Sequence, residues 1–403
     1  MKRMKAGKRI CTLLLILCVA AAAGIGYLDY RVPSDVSVYR SGDALSAGAF
    51  VQLTYAEGDG GAQDTYVTER AGQASLFGVL PLKDVTVTVC DRISVYPGGS
   101  LFGVQVYTRG VMIVGLTSVN TENRTCSPAH DAGLRAKDIL LSINGTEVNT
   151  VEEVTHIVEG SEGQPMEITY SRGGEESSLS LSAVKSGDGM YRAGMWIRDS
   201  SAGIGTVTFV MEDGSRFAGL GHGICDTDTG LLLPLRAGNV TDVTQSGIAK
   251  GMPGQPGEIK GYLSGNVCGE LSTNEESGLY GAYSTKPDFC TQTIPIGNKS
   301  EIHNGDAVLL SGVSGSVKEY AVKLSDVGKN NDAGSKNFIV TVTDPALLEL
   351  TGGIVQGMSG SPILQDGKLV GAVTHVLIND PQKGYGILIE NMLRNMPSAR
   401  SDG

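Results

Sequence analysis

The sequence predicts a mainly β protein of two or three domains behind an N-terminal transmembrane helix. Three observations carry this. The 403 residues exceed what one compact core usually holds. Glycine is abundant (56 residues) and aromatic residues are sparse, which favours short strands joined by tight turns. The run Ile10 to Leu28 is apolar and uncharged over 19 residues, long enough to span a bilayer as a helix.

Lys2, Arg3, Lys5, Lys8 and Arg9 place five positive charges before that run, so the formal charge of −11 leaves −16 for the rest. So acidic a body argues against a nucleic-acid partner. A basic flank predicts residues 1–9 on the cytoplasmic side, residues 10–28 as a signal-anchor and the body outside. A cleaved secretory signal competes, with a small-residue site around Ala20 to Ala23; the length of the run favours the anchor, and both readings export the body. Of seven cysteines, Cys11 and Cys18 lie in the apolar run. The five others form no CxxC pair, which argues against a zinc ribbon or thioredoxin-type site, and Cys268 with Cys290 is the candidate disulfide.

Residues 29–99 mix strand-like runs such as 84–89 (DVTVTV) with a polar glycine-rich stretch at 57–64, and read as a small β-rich region or stalk. From 100 to 185 the pattern becomes one module. Its strands are 103–108, 110–119, 138–145 and 165–172, and Asn144-Gly145 marks a turn. Ser127-Pro128-Ala129 to Gly133 predicts a short helix with Pro at its start and Gly near its end. A second helix opens at Asn149 or Thr150, with Glu152 and Glu153 in its first turn and Val151, Val154 and Val158 on one face. The block 127–148 (SPAHDAGLRAKDILLSINGTEV) resembles a PDZ domain of the bacterial protease type. That resemblance implies a groove between the second strand and second helix where an extended peptide adds a strand. Its carboxylate loop would fall on Thr108, Arg109, Gly110, Val111 and Met112, without the usual Gly-Leu-Gly-Phe pattern.

From 186 to 403 short alternating runs separated by Gly, Asp and Asn predict a β-barrel or sandwich domain. Gly357-Met358-Ser359-Gly360-Ser361-Pro362 precedes an apolar strand, an Asp-Gly turn and a second apolar strand. A Ser between glycines on such a turn exposes its hydroxyl, and the N–H groups of Gly357 and Ser359 converge on one spot as an oxyanion hole. This order resembles the nucleophile region of trypsin-like peptidases, which implies a double β-barrel; Ser359 matches the nucleophile, and Ser361 stands where a Gly is usual.

Ser359 needs a general base. His130 and His156 belong to the PDZ-like module, His303 lies in a polar loop, and His375 ends a strand as core or cleft wall. His222, in Gly219-Leu220-Gly221-His222-Gly223, follows a strand into a glycine-flanked turn and is the candidate. No amphipathic helix follows these glycines, which argues against a phosphate loop. Asp344 at a strand end is the first candidate for the acid that orients the imidazole; Asp226, Asp228 and Asp380 remain open, and an Asp-Pro after a strand also starts turns.

Segments 217–224, 342–376 and 379–387 resemble the stage IV sporulation protein B (SpoIVB) peptidase family. The resemblance implies a triad of His222, Asp344 and Ser359, with no metal or cofactor, and sets Asp344 only 15 residues before Ser359. It also implies a self-cleaving enzyme exported by the forespore into the space between two membranes. There its partners are itself and a regulatory membrane protein of an intramembrane protease complex, whose cleavage leads to activation of a late mother-cell sigma factor. A catalytically inactive PDZ scaffold is the competing class. An esterase is a second, but the α/β-hydrolase elbow expects a helix after the serine, where a hairpin is predicted.

Overall fold

The computed structural model describes residues 2–32, 34–39, 51–55, 66–329 and 334–397; the stretch 57–64 lies outside them. Helix α1 (Lys2–Arg31) carries the apolar run. Its window Leu13–Tyr30 has a mean hydropathy of 1.9 and buries nothing against the body, as fits a membrane anchor.

A four-stranded sheet follows, in the order Asp35–Tyr39, Leu80–Cys90, Val67–Leu76, Val51–Tyr55. It buries Val38, Leu53, Ala74, Val87 and Val89. Polar contacts fasten it to the C-terminal part of the chain: Ser37 Oγ donates to Glu390 at 2.9 Å, Lys299 Nζ reaches Asp35 at 2.5 Å, and Arg394 pairs with Glu69 at 2.8 Å. Burial pushes the Glu390 carboxyl up, against the hydrogen bonds it accepts from Lys299 N and Ser37.

Two six-stranded barrels form the body. The first closes through Leu101–Leu116, Met195–Met211, Arg216–Gly219, Gly278–Tyr283, Glu258–Glu275 and Leu235–Ala249, which returns to Leu101–Leu116. The second closes through Gly305–Ser311, Lys318–Ser325, Phe338–Val342, Asp380–Leu388, Lys368–Leu377 and Pro362–Gln365. Numbered along the chain, the strands of each barrel follow one cyclic order: first, second, third, sixth, fifth, fourth.

The PDZ module sits inside the first barrel rather than ahead of it. Leu101 to Tyr107 pairs with Ser200 to Thr206 in the barrel, while Val111 and Met112 of the same strand pair with Leu140 and Ile139 of the module. The chain returns along Met195–Met211, whose first residues pair with Leu116 to Met112. The strand that opens the expected 100–185 module is therefore shared, and the body expected over 186–403 draws its first barrel strand, Leu101–Leu116, from that module's own range.

Within the module, α2 (Pro128–Ala132) starts on Pro and ends on Gly133 at φ 100. Helix α3 (Val151–Gly160) opens with a capping box: Glu153 N donates to Thr150 Oγ1 at 3.2 Å, and Thr150 N donates to the Glu153 carboxylate at 2.9 Å. Asp199 accepts from Val151 N at 2.8 Å and so ties α3 to the returning strand Met195–Met211. In the second barrel α4 (Pro345–Thr351) precedes the segment that carries Ser359, and α5 (Ile389–Arg394) buries Ile389, Met392 and Leu393 against Phe209 and Tyr280 of the first barrel.

The expected Cys268–Cys290 disulfide is corrected: both thiols are free, Cys268 Sγ donating to Val240 O at 3.4 Å, while burial pushes the Cys290 thiol up to about 11.

Candidate active site

The loops after the two third strands meet between the barrels. In the first barrel Arg216–Gly219 ends in Leu220 (φ 65) and Gly221 (φ 67), two left-handed residues that turn the chain sharply toward the other barrel. A left-handed Leu is costly and persists only where its surroundings enforce it. His222 follows, its Nδ1–H donating to Gly223 O at 2.9 Å, which leaves Nε2 as the basic nitrogen. Asn274, near the end of the fifth strand, holds this loop: Ile224 N donates to Oδ1 at 2.8 Å, and Nδ2 donates to Ile224 O and Leu233 O, both at 2.9 Å.

In the second barrel α4 ends at Gly352 (φ 75), and the chain passes through Gly357 (φ 98) to Ser359 and the Pro362–Gln365 hairpin strand. The first barrel grips this segment. Thr206 Oγ1 donates to Gly357 O at 2.7 Å, Thr206 N to Ser359 O at 3.0 Å, and Thr208 Oγ1 to Gly360 O at 2.8 Å. With those carbonyls engaged, the N–H groups of Gly357 and Ser359 have no protein acceptor among the described residues. Ser359 Oγ rests on Thr374 O at 2.6 Å. His222, Gly357, Ser359, Thr374 and His375 share one cleft of about 510 Å³.

His375 is the neighbour of His222, with ring centroids 4.7 Å apart and planes tilted by 35°. Its Nδ1 is buried without a hydrogen-bond partner. Burial, partly offset by the Gly223 carbonyl, holds the His222 imidazolium below its ordinary value near 6.5. His375 is pushed down to about 4, by burial first and then by His222 and Lys336. A general base works neutral, so the acid limb of kcat/KM is expected below pH 6.5, as a pH–rate profile of the free enzyme would show. A limb at 6.5 or above would contradict this. The sign for stability is the same: unfolded His375 takes up its proton near 6.5 and the folded form only near 4, so stability falls as pH drops through that window.

The expected acid is corrected. Asp344 caps α4: its carboxylate accepts from Ala346 N at 2.9 Å, Leu347 N at 3.1 Å and Ala321 N at 3.3 Å, with no hydrogen bond to His222. Nor do the alternatives reach the imidazole. Buried Asp226 and exposed Asp228 both pair with Arg198, and Asp380 pairs with Lys383 at 2.8 Å. Asp344→Ala is expected to cost about 1 kcal/mol through the lost cap, with Asp344→Asn close to wild type in a thermal melt. If Asp344→Asn melted normally yet lost about 10⁴-fold in kcat/KM, the charge itself would be catalytic.

The carboxylate loop is corrected too. Thr108, Val111 and Met112 are buried, Thr108 Oγ1 donating to Gly110 O at 2.7 Å and Gly110 N to Asn149 Oδ1 at 3.0 Å. Arg109 N donates to Pro234 O at 2.8 Å. Thr108 pairs with Leu235 of the barrel, and Val111 and Met112 pair with Leu140 and Ile139 of the module, so this run joins barrel to module. The open groove, about 720 Å³, lies instead among Val119, Val154, Val158, Tyr191, Trp196 and Ile197. Sequence reasoning also missed Thr206, Thr208 and Asn274. Two Thr on one face of the apolar run TVTFV were the signal for the first two, and Asn274 gave none.

Residues 189–393 match the family model described as SpoIVB peptidase S55. The chain belongs to this family. Residues 124–172 match a PDZ domain model. Among curated proteins the chain is similar to the zinc metalloprotease RasP of Shouchella clausii, 36% identical over 87 residues, covering 21% of this chain and 20% of that protein. The chain thus spans about one-fifth of that relative's length. Among solved structures, the PDZ domain of an SdrC-like protein from Listeria monocytogenes is 19% identical, covers 22% of this chain and 87% of that one, and has a TM-score of 0.18.

Proposed function

We propose that this sporulation peptidase is a membrane-anchored, self-cleaving endopeptidase whose body lies outside the cytoplasm, in the forespore intermembrane space. Its second substrate is a regulatory membrane protein of an intramembrane protease complex, and that cleavage leads to activation of a late mother-cell sigma factor. The family supports the signalling role, and α1 the anchor. The observation that carries the chemistry is Ser359 beside two unengaged N–H donors in a cleft that also holds His222.

The reaction is acyl transfer. Ser359 Oγ leaves Thr374 O, passes its proton to His222 Nε2 and bonds to the substrate carbonyl carbon. The oxyanion rests on the N–H groups of Gly357 and Ser359. His222 then protonates the departing amine, and water, activated by the same ring, releases the acyl group. The groove beside α3 would take a peptide segment by strand addition.

A fluorophosphonate probe tests this reading on the full chain in detergent. Ser359 is expected to be the labelled residue, with labelling lost in His222→Ala. Labelling at another serine, or none, would refute it.

A further inference from the structure

The cleft beside Ser359 has a chemical character of its own. None of its lining residues is Asp, Glu, Lys or Arg. Its second-barrel wall is Ile354, Val355, Val376 and Ile378, with Gln356 beside them. Ile354 is 2% exposed and fixed by its N–H on Pro381 O at 2.7 Å. Across from it, Gly384 leaves the space that Ile354 fills: a Cβ there would stand 2.7 Å from Ile354 Cδ1 and 2.7 Å from His375 O. Ile354 therefore occupies the gap between the nucleophile segment and the strand Asp380–Leu388, where a deeper recess would otherwise open.

We infer that the side chain on the acyl side of the scissile bond is small and uncharged (Ala, Ser, Thr or Val), with Ile354 as the residue that limits its size. This rests on the peptidase reading above. A charged side chain would lose its water without gaining a partner, and a large one would meet the fixed Ile354. Discrimination of about 100-fold in kcat/KM against Lys, Glu or Phe is expected, the scale that apolar pockets reach.

The test uses the full chain in detergent with a proteome-derived peptide library, cleaved bonds being read by mass spectrometry and competent Ser359 counted by fluorophosphonate labelling. Wild type is expected to cut after small uncharged residues. Ile354→Ala should raise the ratio of Leu to Ala cleavage about tenfold. Ile378→Asp, at a position 55% exposed and so safe for folding, should raise cleavage after Lys and Arg. A labelled enzyme that cuts after charged or aromatic residues, or a preference unmoved in both variants, overturns the inference alone. Absent labelling and absent cleavage overturn the peptidase reading with it.

Discussion

Ser359→Ala is expected to lower self-cleavage by about 10⁴- to 10⁶-fold, the scale on which a lost serine nucleophile is felt. The hydroxyl makes one hydrogen bond, to Thr374 O, so its removal should shift stability by only about 1 kcal/mol. The groove beside α3 is built from other elements and should bind peptides as before. Intact mass of the full-length protein, followed over time for both forms, separates the outcomes. Fragments confined to wild type fit the mechanism; equal fragmentation in the variant would assign the chemistry to another group. Two equally stable chains would favour a peptide-binding scaffold.

Gly360→Ala should be the most damaging single methyl near the site. Gly360 has φ 95, and a Cβ there would stand 2.0 Å from Thr206 O and 2.5 Å from Leu220 N. Both are backbone atoms of the first barrel, beside the grip on Ser359 and the turn into His222, so no side-chain rotation relieves the clash. Added to left-handed strain of about 1–2 kcal/mol, a total loss above about 4 kcal/mol is expected, with activity lost as the barrels part. Gly367→Ala is the control, because φ there is 75 and no atom lies within 4 Å of the added carbon. Urea titration of the two variants decides; equal midpoints would mean the barrels are not wedged on Gly360.

Much of this was legible in the sequence because it is local. The apolar run of α1, the Pro and Gly that bound α2, the capping box of α3 and the hairpin after Ser359 are each written within a few residues. So is the turn Gly357 to Gly360 that presents Ser359, since its glycines shape it. The glycines around His222 likewise mark the bend of its loop.

What the sequence left open depends on pairing across distance. The runs 103–108 and 110–119 each alternate as a strand should, but alternation cannot say which strand lies beside them. Only the folded chain shows one strand, Leu101–Leu116, serving the barrel through Ser200–Thr206 and the module through Ile139–Leu140. That sharing buried Thr108, Val111 and Met112, and the open groove lies elsewhere. Asp344 shows the same limit: an Asp before Pro after a strand fits a triad acid and a helix cap equally well. The fold decides for the cap, because the free N–H groups of α4 lie within hydrogen-bonding reach of its carboxylate and the imidazole of His222 turns to Gly223 O.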